Sequence, residues 1–105
     1  MNYKSSPVGL FELNYGSDLV FKIPWPDGDG GVIDLTDWTV NVIDITEAIS
    51  GLITATKDND PTTGNVNVRL EWSPDLDKHT PYDFRIQLTK GGDDVSTNLL
   101  RLIYR

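Results

Sequence analysis

Two stretches of strict alternation constrain this chain more than anything else in it. They are Val66-Asn67-Val68-Arg69-Leu70-Glu71-Trp72 and Tyr82-Asp83-Phe84-Arg85-Ile86-Gln87-Leu88-Thr89. Period 2 puts Val66, Val68, Leu70 and Trp72 on one face of an extended segment, and Tyr82, Phe84, Ile86 and Leu88 on one face of another. A helix would scatter the same side chains around its axis and leave half of them in water. Burying each one is worth roughly 1.5–3 kcal/mol, so two half-buried strands are the expected outcome.

The remaining segments read the same way. Leu10 to Asn14 is a short strand, turned by Tyr15-Gly16-Ser17-Asp18 into a second in which Leu19, Phe21, Ile23 and Trp25 alternate with Val20, Lys22 and Pro24. Pro24 cannot donate to a ladder, which places it at a sheet edge or a bulge. Pro26-Asp27-Gly28-Asp29-Gly30-Gly31 is the strongest turn signal in the chain. It leads to a third strand with Trp38, Val40 and Val42 on one face. Ile43 and Ile45 then take the opposite phase, which predicts a bulge near Val42 or a change of sheet. Thr46 to Gly51 fits one helical turn or a loop, and Leu52 to Lys57 a further strand closed by Asp58-Asn59-Asp60-Pro61. Ser73 with Pro74 behind it predicts a single helical turn, with Leu76 plugging the open end of the core. Gly91-Gly92-Asp93-Asp94 turns the Tyr82 strand into a last one, Val95 to Tyr104, apolar on both faces at Leu99, Leu100, Leu102 and Ile103. That pattern suits a central strand or one covered by a partner. Short strands about ten residues apart define an all-β fold, an immunoglobulin-like antiparallel β-sandwich of about seven strands. Residues 1–105 form one domain, with 1–8 as an N-terminal arm.

Composition narrows the function. There is no cysteine, hence no disulfide framework and no thiolate metal site. Sixteen acidic against nine basic residues leave a net charge of −7, with the basic residues spread along the chain. A surface that follows phosphates needs them clustered, so neither nucleic acid nor an anionic membrane is an expected partner. No apolar run is long enough to span a bilayer, and Met1 to Pro7 lacks an apolar signal core, which points to synthesis in the cytoplasm.

Candidates for chemistry are few. Asp27, Asp29 and Asp34, with Asp58 and Asp60 elsewhere, could offer oxygen ligands to calcium, but a closing bidentate Glu is missing and Asp-Gly pairs also build tight hairpins. His79 is the sole histidine, with Ser73, Asp75, Asp77 and Thr80 nearby, so any nucleophile–base arrangement must form around it. Its polar setting is that of a solvated loop residue. Among the aromatic residues Trp38 and Trp72 lie on apolar strand faces and are expected in the core. Trp25, flanked by Pro24 and Pro26, is the one open to exposure, and with Tyr15 it could stack on a sugar. No cofactor is implied.

At Val32-Ile33-Asp34-Leu35-Thr36-Asp37-Trp38-Thr39-Val40 the sequence resembles a group of small tailed-bacteriophage virion proteins. It is similar to the immunoglobulin-like N-terminal domain of the baseplate upper protein family. Asn14 to Asp18 resembles that family's entry turn and Gly64-Asn65-Val66-Asn67-Val68 one of its strands. Thr80 to Leu88 resembles another strand, with Gly91-Gly92 as its hairpin; Pro81 departs from the pattern. The resemblance runs along nearly the whole chain and rests on structural motifs. It implies a virion structural protein, made in the host cytoplasm. Such a protein would serve as an adaptor or accessory subunit of tail, baseplate or fibre, with other virion proteins as partners and self-assembly, for instance into trimers. Tyr15, Trp25, Leu99 and Ile103 are the candidate contact residues. The competing readings are a carbohydrate-binding module contacting host-surface glycan, a head decoration protein, and a hydrolase working through His79.

Overall fold

The computed structural model describes residues 9–105; the expected arm at 1–8 lies outside them. Eight strands form two sheets: β1 (Leu10–Leu13), β2 (Leu19–Pro24), β3 (Thr39–Ile43), β4 (Ile53–Lys57), β5 (Asn65–Leu70), β6 (Pro81–Lys90), β7 (Asp93–Ser96) and β8 (Leu100–Tyr104). One sheet runs β2-β5-β4 and the other β1-β8-β6-β3, with β7 paired to the far half of β6. Second, fifth and fourth strands facing third, sixth and last is the immunoglobulin arrangement, and the expected sandwich is the fold observed. One pair departs from an antiparallel scheme: β1 runs parallel to β8, Leu10 beside Arg101 and Leu13 beside Tyr104.

The two alternating runs are β5 and β6, and their inward residues are buried as the period requires. Val66, Val68, Leu70, Tyr82, Phe84, Ile86 and Leu88 belong to one core with Leu19, Ile23, Leu35, Leu100 and Leu102. Trp72 is only half-buried; it follows β5, and its ring stands edge-on to Tyr15, 5.2 Å between centroids. In antibody domains a disulfide links the second and sixth strands across the core. Here Phe21 and Phe84 meet between those strands, their centroids 6.4 Å apart. Tyr82 opens β6, and its hydroxyl accepts the Asp77 N–H at 2.7 Å. This back-bond to the chain just upstream is the tyrosine corner of such sandwiches. Trp38 is buried ahead of β3 rather than at the centre: Lys90, the last residue of β6, lies over its ring, 5.9 Å from the centroid.

Three local expectations are corrected. The last strand is broken in two. β6 pairs first with β8 (Pro81 beside Ile103, Phe84 beside Leu100) and then with β7 (Gln87 beside Ser96). Between them Thr97 bulges: its N–H donates to Ile86 O at 2.9 Å, and its hydroxyl accepts the Ile86 N–H at 3.1 Å. The phase change after β3 falls at Asp44, whose φ of 50° breaks the strand. Ile43 therefore stays on the outer face opposite Arg85, while Ile45 returns to the core. Ser73 starts a turn rather than a helix. Leu76 N–H reaches Ser73 O at 3.0 Å and Leu76 is buried as expected. The chain is then drawn back by His79, with φ 61° and its N–H on Tyr104 O at 2.7 Å. By contrast Glu47–Ile49 does form the single turn, as a 3-10 helix that buries Ile49.

Candidate interaction surface

The residues expected to do chemistry are occupied by their own loops. Asp27 Oδ1 accepts the Asp29 and Gly31 N–H groups at 2.7 and 3.1 Å. Asp34 Oδ1 accepts from the backbone and hydroxyl of Thr36, and these bonds, followed by the charge of Lys90, hold its carboxyl below the usual range. Asp58 is also held low, first by the Thr63 hydroxyl at 2.9 Å. Asp27, Asp29 and Asp34 do line one hollow of about 310 Å³, but Lys90 lines it too, so a cation would meet an ammonium group there. Among the described residues no three His, Asp or Glu side chains gather closely enough to hold a metal ion. His79 is exposed, and its imidazole makes no hydrogen bond to a carboxylate or hydroxyl among the described residues.

The sugar platform is overturned. Trp25 is 0 % exposed. It continues the inward phase of Leu19, Phe21 and Ile23, and the chain closes over it. Its N–H donates to Gly64 O, and its carbonyl accepts the Ile33 N–H, both at 2.9 Å. Its buried Nε1 finds no hydrogen-bond partner among the described residues. Tyr15 is no platform either. Trp72 and Tyr104 stand edge-on to its ring, Lys78 lies over it 5.4 Å from the centroid, and its hydroxyl donates to Leu76 O. The two aromatics sit beyond opposite ends of β2, a six-residue strand about 20 Å long.

The sequence in Val32 to Trp38 builds a corner of the sandwich. Leu35 is buried, its N–H on Pro61 O at 2.9 Å, and its carbonyl accepts the Trp38 N–H at 3.0 Å. This corner delivers Trp38 into β3. β3 and β4 are each the edge of their sheet, and no strand is paired to their outer sides among the described residues. Between them lies an open groove of about 590 Å³, lined by Trp38, Val40 and Ala55 with Lys57, Asp58 and Pro61.

A second surface is the outer face of the larger sheet. Pairing register places Leu10 beside Arg101 and Arg101 beside Asp83, with Glu12, Ile103 and Pro81 forming the next row. Leu99 and Ile103, singled out from the sequence, are both partly exposed, and Leu10 is 59 % exposed. Arg101 grips Asp83 with both arms, Nε to Oδ1 at 2.7 Å and a terminal nitrogen to Oδ2 at 2.9 Å. That grip holds the Asp83 carboxyl low and pushes the guanidinium up. Arg105 pairs with Glu12. The buried Nε of Arg85 makes no hydrogen bond among the described residues and reaches Asp44 only at 3.6 Å. Leu10, Arg101 and Asp83 were not singled out from the sequence; the outward phase of β8 was the available signal.

No known protein family matches the sequence, and no curated protein is similar enough to count as a relative. No helix among the described residues is long and apolar enough to cross a membrane.

Proposed function

We propose that this chain is a structural subunit of a tailed-phage virion, an adaptor or accessory piece of tail, baseplate or fibre. In this reading it works by protein–protein contact and is made in the host cytoplasm. The observation that carries the reading is the pair of strand edges, β3 and β4, left open side by side over an apolar-floored groove. Open edges are templates for another chain, since backbone pairing supplies affinity and pockets for alternate side chains supply specificity. The motifs that resemble the baseplate upper protein domain support it further. They fold into corners and strands, and the carboxylates of Asp18, Asp34 and Asp83 are engaged by Arg69 and Trp72, by Thr36 and by Arg101, which leaves surfaces as the means of action. Quantitative mass spectrometry of purified particles from the phage that encodes the chain tests this. A constant copy number per particle is expected, with cross-links from β3 or β4 to a neighbouring virion protein. Abundance in infected cells with absence from particles overturns it.

A further inference from the structure

The outer face of the larger sheet is built to meet a copy of itself. We propose that two chains associate face to face about a twofold axis running along the seam between β8 and β6. The argument begins with charge. Arg85, Arg101 and Arg105 on this face are met by Asp44, Asp83 and Glu12. Asp94, paired with Thr89 on the same face, leaves it one negative charge, so six of the chain's seven net negative charges lie elsewhere on its surface. Two copies repel through any strongly acidic side, and this nearly neutral face is where they can approach.

The register then makes the face self-complementary, as an isologous contact requires. Across the seam Arg101 stands beside Asp83, and Ile103 beside Pro81. A twofold axis along that seam exchanges the two columns. Each Arg101 comes to lie over the partner's Asp83, and each Ile103 over the partner's Pro81. The internal bidentate pair becomes a four-member network, bounded by apolar contacts from Ile103 and from Leu10 beside Arg101. Arginine and apolar side chains at the centre of a patch are the composition of buried interface cores. The face is four strands wide along β6, roughly 19 by 33 Å or about 600 Å² in projection, the low end of specific interfaces and in keeping with a reversible dimer. This inference does not depend on the virion reading.

Sedimentation velocity on the full chain between about 10 µM and about 1 mM tests it, with a reversible monomer–dimer equilibrium as the expected result. Ile103→Glu places a carboxylate at the axis, and the dimer constant is expected to weaken by at least about tenfold. Because the chain has no cysteine, Ile103→Cys provides a second readout that does not depend on the charged variant folding. A bis-maleimide long enough to span two packed sheets is expected to link Ile103→Cys chains into covalent dimers. Val20→Cys serves as the control: Val20 is 64 % exposed but lies on β2, in the other sheet. A chain that stays monomeric throughout, sediments as a trimer, or cross-links equally fast through Val20→Cys overturns the proposal. Dimers in solution with absence from particles would sink only the virion reading. Particle-bound chains that are monomeric in solution would sink only this one.

Discussion

At the scale of single residues, this sandwich depends on a few polar groups placed where the ladder alone leaves backbone unpaired. Thr97 is 2 % exposed, and its hydroxyl is the acceptor for Ile86 N–H at the break in the last strand. Thr97→Val keeps the shape and removes the acceptor, leaving a buried donor unsatisfied. Urea denaturation is expected to read a loss of about 1–3 kcal/mol. Asp83 supplies a pH dependence. Its pKa is lowered in the folded chain, first by the hydrogen bond from Arg101 and then by that residue's charge. A lowered folded value means that the pair's contribution is fully present above the ordinary carboxylate pKa of about 3.9. It is lost as pH falls through the folded value. Thermal melts between about pH 2 and pH 7 should therefore show an acid limb that is shallower in Asp83→Asn.

At the scale of elements, the corner where β2 ends carries more weight than its loop-like sequence suggests. Trp25 is closed in by Gly64 and Ile33, and Gly64 has φ of +72° with a prospective Cβ 2.7 Å from Val32 Cβ and 3.0 Å from Ile33 O. Gly64→Ala thus meets both a left-handed backbone and a close neighbour. A cost of about 1–3 kcal/mol is expected by equilibrium unfolding, with Gly16→Ala, where nothing lies within 4 Å, losing less. Trp25→Ala should cost about 3–5 kcal/mol, the penalty of emptying a core aromatic site. The same corner accounts for the misread exposure of Trp25. Alternation put it in phase with Ile23, but the flanking prolines suggested a strand end in solvent. Only the return of the chain through Ile33 and Leu35 gives that phase a lid.

At the scale of the whole molecule, topology and charge govern behaviour. Every sheet pairing except β4 with β5 and β6 with β7 joins strands that are not consecutive in the chain. Contacts of that kind close long loops before they return energy, so folding in milliseconds to seconds is expected by stopped-flow fluorescence of the three tryptophans. The net charge of −7 adds self-repulsion that salt screens. Raising sodium chloride from about 10 mM to about 0.5 M should therefore raise the midpoint of thermal unfolding.

What the amino-acid order determined by itself is the set of inward-facing residues in the strands that alternate, β2, β5 and β6. A period of two is written locally and survives any choice of neighbours, so the β5 and β6 faces, the Pro24 edge and the Leu76 plug were all readable. The partnerships needed the tertiary structure: β1 parallel to β8, the last strand split over β6 at Thr97, and the open edges of β3 and β4. The row of Leu10, Arg101 and Asp83 exists only because three strands far apart in the chain lie side by side. Strand order and sheet closure are contests among distant segments, decided by which pairing buries the most apolar surface while satisfying the backbone, and no short stretch of sequence records the result.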